Sequence, residues 1–286
     1  MKCLILAAGY ATRLYPLTEN FPKPLLKVAG KPILDHLIDD LEATAAVDEY
    51  IVVTNHKFAP IFEEWAGEIS PRGPVGLGRD DKGDGVSDGL GRDDKGDGAS
   101  YGLGRDDRRR PAIRIVDDGT SSNETRLGAV CDIQYAIEQC GIDDDLLVMA
   151  GDNLLSFSLK AFLDYFRAKG TSCIMRYWES DEKRLRKSGI AEVDSEGRII
   201  SMEEKPAFPK SNWCCPPFYI YRKEDVRLVA EGIAAGCGTD APGSFIAWLC
   251  TQTAVHAFQM PGPRYDIGNL ESYRAVQEIF EGKERK

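Results

Sequence analysis

LAAGYATRLYPLTENFPKPLL, residues 6–26, opens at the last position of a short apolar run, Leu4-Ile5-Leu6, and closes in Phe21-Pro22-Lys23-Pro24-Leu25-Leu26. A buried strand feeding a tight loop of small residues brings backbone close to a ligand. Its N–H groups would line an anion-binding concavity. Arg13 offers a planar fork for phosphate oxygens, and Lys23 adds a second positive charge. Two familiar phosphate loops are excluded. GxxxxGK[ST] is absent, and of the glycines of GxGxxG only Gly9 is present. An ordinary strand-to-helix loop with surface cations is the bland alternative, which a short glycine motif alone does not dismiss.

The segments around this loop set its context. Helical apolar spacing covers residues 33–41, followed by a strand at 50–54 and a helix at 58–65. A third strand is expected at 113–116, a helix at about 128–139, a fully apolar strand at 146–150 and a helix at 159–169. Strands alternating with helices predict a mostly parallel sheet flanked by helices on both faces. The C-terminal half is more mixed: strands at 190–193 and 198–202 flank Asp194-Ser195-Glu196-Gly197, a hairpin turn.

Residues 76–107 break the pattern. GLGRDDKGDGVSD is followed by GLGRDDKGDGASY and GLGRDD, a repeat of mixed charge with almost no apolar side chains. Such a segment buries too little surface to offset its ordering entropy. Residues 71–110 are therefore expected to be a disordered or loosely ordered insertion within one catalytic domain spanning residues 1–286. Asp80, Asp84 and Gly85 echo the start of a calcium loop, but Lys82 and Gly91 occupy positions that need acids.

Whole-chain properties narrow the function classes. A formal charge of −10 argues against nucleic acid as a general partner. No apolar run approaches eighteen residues, so no membrane span is predicted. The apolar stretch at residues 3–8 is too short for a signal-peptide core and is better a buried strand. Eight scattered cysteines, with no CxxC pair and only three histidines, predict reduced, mostly buried thiols and a cytoplasmic protein. A homo-oligomer is compatible with all of this.

A metal has an obvious place. Mg²⁺ prefers one or two carboxylates together with phosphate oxygens and water. Asp152, in Gly151-Asp152-Asn153, directly follows the apolar strand at 146–150, at the crevice where α/β ligands bind. Turn formation is the competing explanation for that Asp.

Residues 6–26 closely resemble the signature of the sugar-1-phosphate nucleotidyltransferases, written loosely as GxGTRLxPLT followed by PKPL; Ala8 and Ala11 stand where glycine is often found. That resemblance implies a Rossmann-like fold of the nucleotidyltransferase and glycosyltransferase-A kind, with a mixed β part for the acceptor. It implies that Ala7, Ala8, Gly9, Tyr10, Ala11 and Thr12 hold an NTP while Arg13 and Lys23 neutralise its phosphates. Asp266, in Arg264-Tyr265-Asp266-Ile267-Gly268-Asn269, resembles the family's late WxDIGT-type motif and would join Asp152 in holding Mg²⁺. Asn123 and Gly128 match residues that contact the base. Glu203-Glu204-Lys205-Pro206 resembles the EEKP motif that contacts a sugar phosphate, and Gly189 matches a glycine beside the acceptor. Pro216-Pro217 stands where hexose-specific relatives carry Thr-Gly. The expected reaction condenses an NTP with a sugar 1-phosphate and releases pyrophosphate. A phosphorylated amino alcohol or phosphonate acceptor, and a non-catalytic nucleotide-binding subunit, are the alternatives.

Overall fold

In the computed structural model, which describes residues 1–69 and 111–284, Cys3, Leu4 and Ile5 are all fully buried. They belong to β1 (Lys2–Leu6), a strand with neighbours on both sides and helices on both faces. Beyond it come the small hairpin β2 (Lys27–Val28) and β3 (Lys31–Pro32), then α1 (Ile33–Thr44), β4 (Glu49–Thr54) and α2 (Ala59–Ile69). The chain resumes with β5 (Ala112–Asp117), α3 (Ala129–Cys140), β6 (Leu146–Ala150), β7 (Asn153–Leu155) and α4 (Lys160–Lys169). The remainder is β8 (Ser172–Trp178), α5 (Glu182–Leu185), β9 (Gly189–Val193), β10 (Ile199–Glu204), β11 (Trp213–Cys215) and β12 (Phe218–Tyr221). It ends in α6 (Lys223–Val226), α7 (Val229–Ala234), α8 (Gly243–Gln252), β13 (Val255–Gln259), β14 (Arg264–Asp266) and α9 (Leu270–Glu284). The insertion expected at residues 71–110 lies outside the described residues.

The strand order is β10-β9-β11-β8-β12-β6-β1-β4-β5, with β13 also paired to β8. β6, β1, β4 and β5 run parallel, as the alternating pattern predicts. From β12 to β10 the neighbours are antiparallel, which is the mixed β part. Successive side chains of the parallel strands enter two different cores. Cys3, Ile5, Tyr50, Val52, Leu147 and Met149 pack under α1, α2 and α4. Leu4, Ile51, Val53, Leu146 and Val148 pack under α3 and α8.

Register aligns the strand ends. Leu6 pairs with Val53 on one side and Ala150 on the other, so residues 7–9 and 151–152 emerge together at the carboxyl edge of the sheet. α9 returns from the far end of the chain to pack Val276 beside Leu14, Leu26, Val28 and Ile33. Gln277 Nε2 and the Tyr273 hydroxyl both donate to Lys27 O, at 2.6 and 2.7 Å, and Ala29 N–H donates to Gln277 Oε1 at 3.2 Å. All eight cysteines are unpaired, four buried and four half-buried. Among the described residues no helix is long and apolar enough to cross a membrane.

The expected helices and strands before residue 170 appear with ends shifted by a few residues, α2 extending to Ile69. The turn at 194–197 forms, with Gly197 N–H donating to Asp194 O at 3.1 Å. β2, β3, β7, β8, α5, β11, β12, β13, β14 and the helices after β12 are not predicted by the sequence pattern. Short apolar runs such as Trp213–Cys215 carry too few residues to display a period.

Candidate active site

The loop after β1 is held by its surroundings. Ala7 N–H extends the ladder to Val53 O at 2.8 Å. Asn55, wholly buried at the end of β4, donates Nδ2–H to Ala8 O at 3.0 Å and accepts Phe58 N–H at 3.1 Å. The Tyr10 hydroxyl donates to Thr120 O at 3.1 Å, and buried Thr18 donates to Ala11 O at 2.8 Å. Gly9, Thr12 and Arg13 stay exposed on the rim. Arg13 forms no ion pair among the described residues, which leaves its guanidinium available to an anion. Ala11 has φ 47° and ψ 40°, the left-handed region, which is the physical reason glycine suits that position.

Lys23, Pro24 and Leu25 form a single 3-10 turn against Gly151. A Cβ on Gly151 would lie 3.0 Å from Ile5 Cγ2 and 3.4 Å from the Pro24 ring, so glycine lets the turn settle on β1. Lys23, almost fully buried, is thereby aimed at Asp152, with Nζ 2.6 Å from Oδ2. Asp266 arrives on β14, paired with Asn153 of β7, and its Oδ1 lies 3.9 Å from the same ammonium. Arg264, which sequence reading passed over, bonds Asn153 Oδ1 and lies 3.8 Å from Asp266. Burial opposes ionisation of Asp152, but Lys23 and then Arg264 outweigh it and hold the carboxyl below its ordinary range.

Two carboxylates converging on one cation fit the donor set that Mg²⁺ uses. Among the described residues no cluster of three or more His, Cys, Asp or Glu forms a closed metal cage. Remaining ligands for such an ion would be phosphate oxygens and water.

Asn123 is exposed in a turn over residues 122–125, where Thr125 N–H donates to Ser122 O at 3.2 Å. Gly128 precedes α3 with φ 92°, and a Cβ there would stand 2.6 Å from Thr239 O. The glycine thus has a packing reason as well as any contact with a base. Beneath it lies a group that sequence reading did not single out. Asp118, Thr120 and Asp132 are over nine-tenths buried, and among the described residues Asp132 Oδ1 has no hydrogen-bond partner. Burial first, and the Asp118 charge second, push the Asp132 carboxyl up to about 7.

On the other side of the cleft, β9 and β10 pair Gly189 with Glu204. A Cβ on Gly189 would lie 2.8 Å from Glu204 Oε2, and one on Gly243 would collide with the same oxygen. Burial raises the Glu204 carboxyl. Lys205 follows in a left-handed conformation (φ 50°), its N–H bound to Ser188 O at 3.1 Å. The strand separates the two expected acids: Glu203 points to the opposite face and pairs with Lys210. Pro217 O accepts Ala150 N–H at 3.2 Å, which seats the Pro216-Pro217 step beside Gly151 and Asp152.

A family model described as "Nucleotidyl transferase" matches residues 2–282. The bifunctional protein GlmU of Methanocaldococcus jannaschii is 25% identical over 94% of this chain and 51% of its own length. A glucose-1-phosphate thymidylyltransferase of Mycobacterium tuberculosis is 28% identical, covering 82% of this chain and 65% of the relative. The chain therefore spans about half to two thirds of these curated relatives. Among solved structures, UDP-glucose pyrophosphorylase complexed with UDP-glucose superposes with a TM-score of 0.73, at 18% identity, over 99% of this chain and 98% of that one. At that identity the likeness speaks for the fold.

Proposed function

Since the chain belongs to the nucleotidyl transferase family, we propose that it condenses an NTP with a sugar 1-phosphate, giving an NDP-sugar and pyrophosphate. The observation that carries this reading is the meeting of Lys23, Asp152 and Asp266 beside the loop after β1. An oxygen of the acceptor phosphate attacks the α-phosphorus in line, the bond to the β-phosphate oxygen breaks, and pyrophosphate leaves. Such chemistry depends on positioning and charge neutralisation more than on covalent help. Backbone amides of residues 8–12 line the nucleotide side, the Ala7 N–H being held by Val53 O, with Asn123 and Gly128 near the base. Arg13 faces the departing pyrophosphate, and Lys23 neutralises charge near the reacting centre. Lys205 draws in the acceptor phosphate, and Glu204 with Gly189 shapes its pocket. Asp152 and Asp266 would hold Mg²⁺, which supplies Lewis-acid charge neutralisation between the two anionic substrates.

Pyrophosphate release from the full chain, with Mg²⁺, a panel of NTPs and a panel of phosphorylated acceptors, tests the proposal. Product with a hexose 1-phosphate supports it. No release with any NTP and any hexose 1-phosphate overturns the sugar assignment. A phosphorylated amino alcohol or phosphonate is the second reading. It is favoured by Pro216-Pro217, whose rings remove two backbone donors beside Asp152.

A further inference from the structure

Residues 239–243, which lead into α8, touch both sides of the cleft. On the nucleotide side, Val130 N–H donates to Thr239 O at 3.0 Å and Ala129 N–H to Asp240 O at 3.4 Å. These two carbonyls occupy N–H groups at the start of α3, and the absence of a side chain at Gly128 permits the approach. On the acceptor side, Gly243 leaves room for the Glu204 carboxylate. Between them stands Asp240. Its Oδ1 is 2.6 Å from Arg126 Nη2, and its Oδ2 is 3.4 Å from Lys205 Nζ.

The backbone of Asp240 is therefore fixed to the start of α3 while its side chain spans the cleft. Lys205 faces it from the acceptor side. Its backbone is anchored by Ser188, but its four-carbon side chain has high rotamer entropy, and Asp240 is its one ion-pair partner among the described residues. We propose that Asp240 is a positioning residue for Lys205, placing the acceptor-side ammonium relative to the nucleotide-side helix. The turn after β10 that carries Lys205 fixes only its backbone. The arrangement matters to a two-substrate reaction, in which a small misplacement of one reactant costs rate. It rests on the assignment of Gly128 to the nucleotide side and Lys205 to the acceptor side.

The test is steady-state kinetics of the full chain with whichever NTP and acceptor pair releases pyrophosphate. Asp240→Asn keeps the shape and removes the charge. It is expected to raise KM for the acceptor by about twofold to fivefold, the range of exposed ion pairs, and to change KM for the NTP less. The difference shrinks at high salt, and Asp240→Glu restores part of it. In a Lys205→Ala background, Asp240→Asn adds nothing further to the acceptor KM, because the two act through one interaction. An unchanged acceptor KM, or an equal effect with Lys205 absent, overturns the proposal. Order of the Lys205 Cε group, followed by carbon NMR, gives a readout that needs no turnover, and it falls in Asp240→Asn. If the wild-type protein transfers no nucleotide, the functional assignment fails, while an unchanged Cε signal in the variant rejects the positioning role by itself.

Discussion

Lys23 and Asp152 stand 129 positions apart in the chain and meet as an ion pair of 2.6 Å at the carboxyl edge of the sheet. The lysine is almost fully buried, while the aspartate remains a third exposed toward the cleft. A buried ammonium thus holds a carboxylate that solvent still reaches.

Asp152→Asn and Lys23→Met are each expected to lower turnover by about 10²–10³, the usual loss when one charge-stabilising group is removed. Pyrophosphate release measured across Mg²⁺ concentrations checks both. Full turnover in Asp152→Asn would rule out its proposed place at the reacting centre.

Stability should respond to acid through the same pair. Asp152 has a carboxyl below its ordinary range, so its contribution is present at neutral pH and is lost as pH falls through the folded value. The stability gap between wild type and Lys23→Met is therefore expected to narrow below about pH 4. Urea unfolding at a series of pH values reads this directly.

Asp132 carries the opposite sign. Its carboxyl moves from an ordinary 3.8 to about 7 in the folded protein. Between those values the folded state holds a proton that the unfolded state has released, so stability falls as pH rises. Asp132→Asn, which cannot ionise, is expected to be more stable than wild type at pH 8 by a few kcal/mol, on the order of the linkage energy. Near pH 4 the two should differ little. A wild-type Tm independent of pH between 5 and 8 would contradict this.

Gly128→Ala introduces a Cβ 2.6 Å from a backbone oxygen, at φ 92°. Neither the carbonyl nor the dihedral can yield cheaply, so a loss of about 3 kcal/mol is expected from strain and overpacking together. Denaturant midpoint and Tm both report it.

Ala11→Gly runs the other way. Alanine at φ 47° bears a left-handed penalty of about 1–2 kcal/mol, partly offset by the greater entropy that glycine loses on folding. The variant is expected to be neutral to about 1 kcal/mol more stable, measured by thermal unfolding. A marked destabilisation would show that the alanine methyl has a packing role.

Much of the fold was legible in local pattern. The apolar strands at 4–6, 50–54 and 146–150, separated by helical spacing, point to a parallel sheet because period and burial are properties of neighbouring residues. The loop over residues 6–26 was legible for the same reason, since small residues, Arg13 and Lys23 lie in one continuous stretch. Asp152 follows from its place just after a buried strand. Asn55 was within reach by the same argument, as a polar residue closing the strand before it.

What tertiary structure decided was which distant groups share space. Asp266 joins Asp152 because β14 pairs with β7, and such a register depends on the whole intervening chain. Arg264 and Asp240 acquire partners only through that folding, and Asp118 and Asp132 become an acid pair only when α3 packs over β1 and β4. Composition and spacing along a chain determine which faces are apolar and which loops are tight. They do not contain the distances between elements, which sheet order and packing set, and those distances are what bring a lysine and two aspartates together at the carboxyl edge of the sheet.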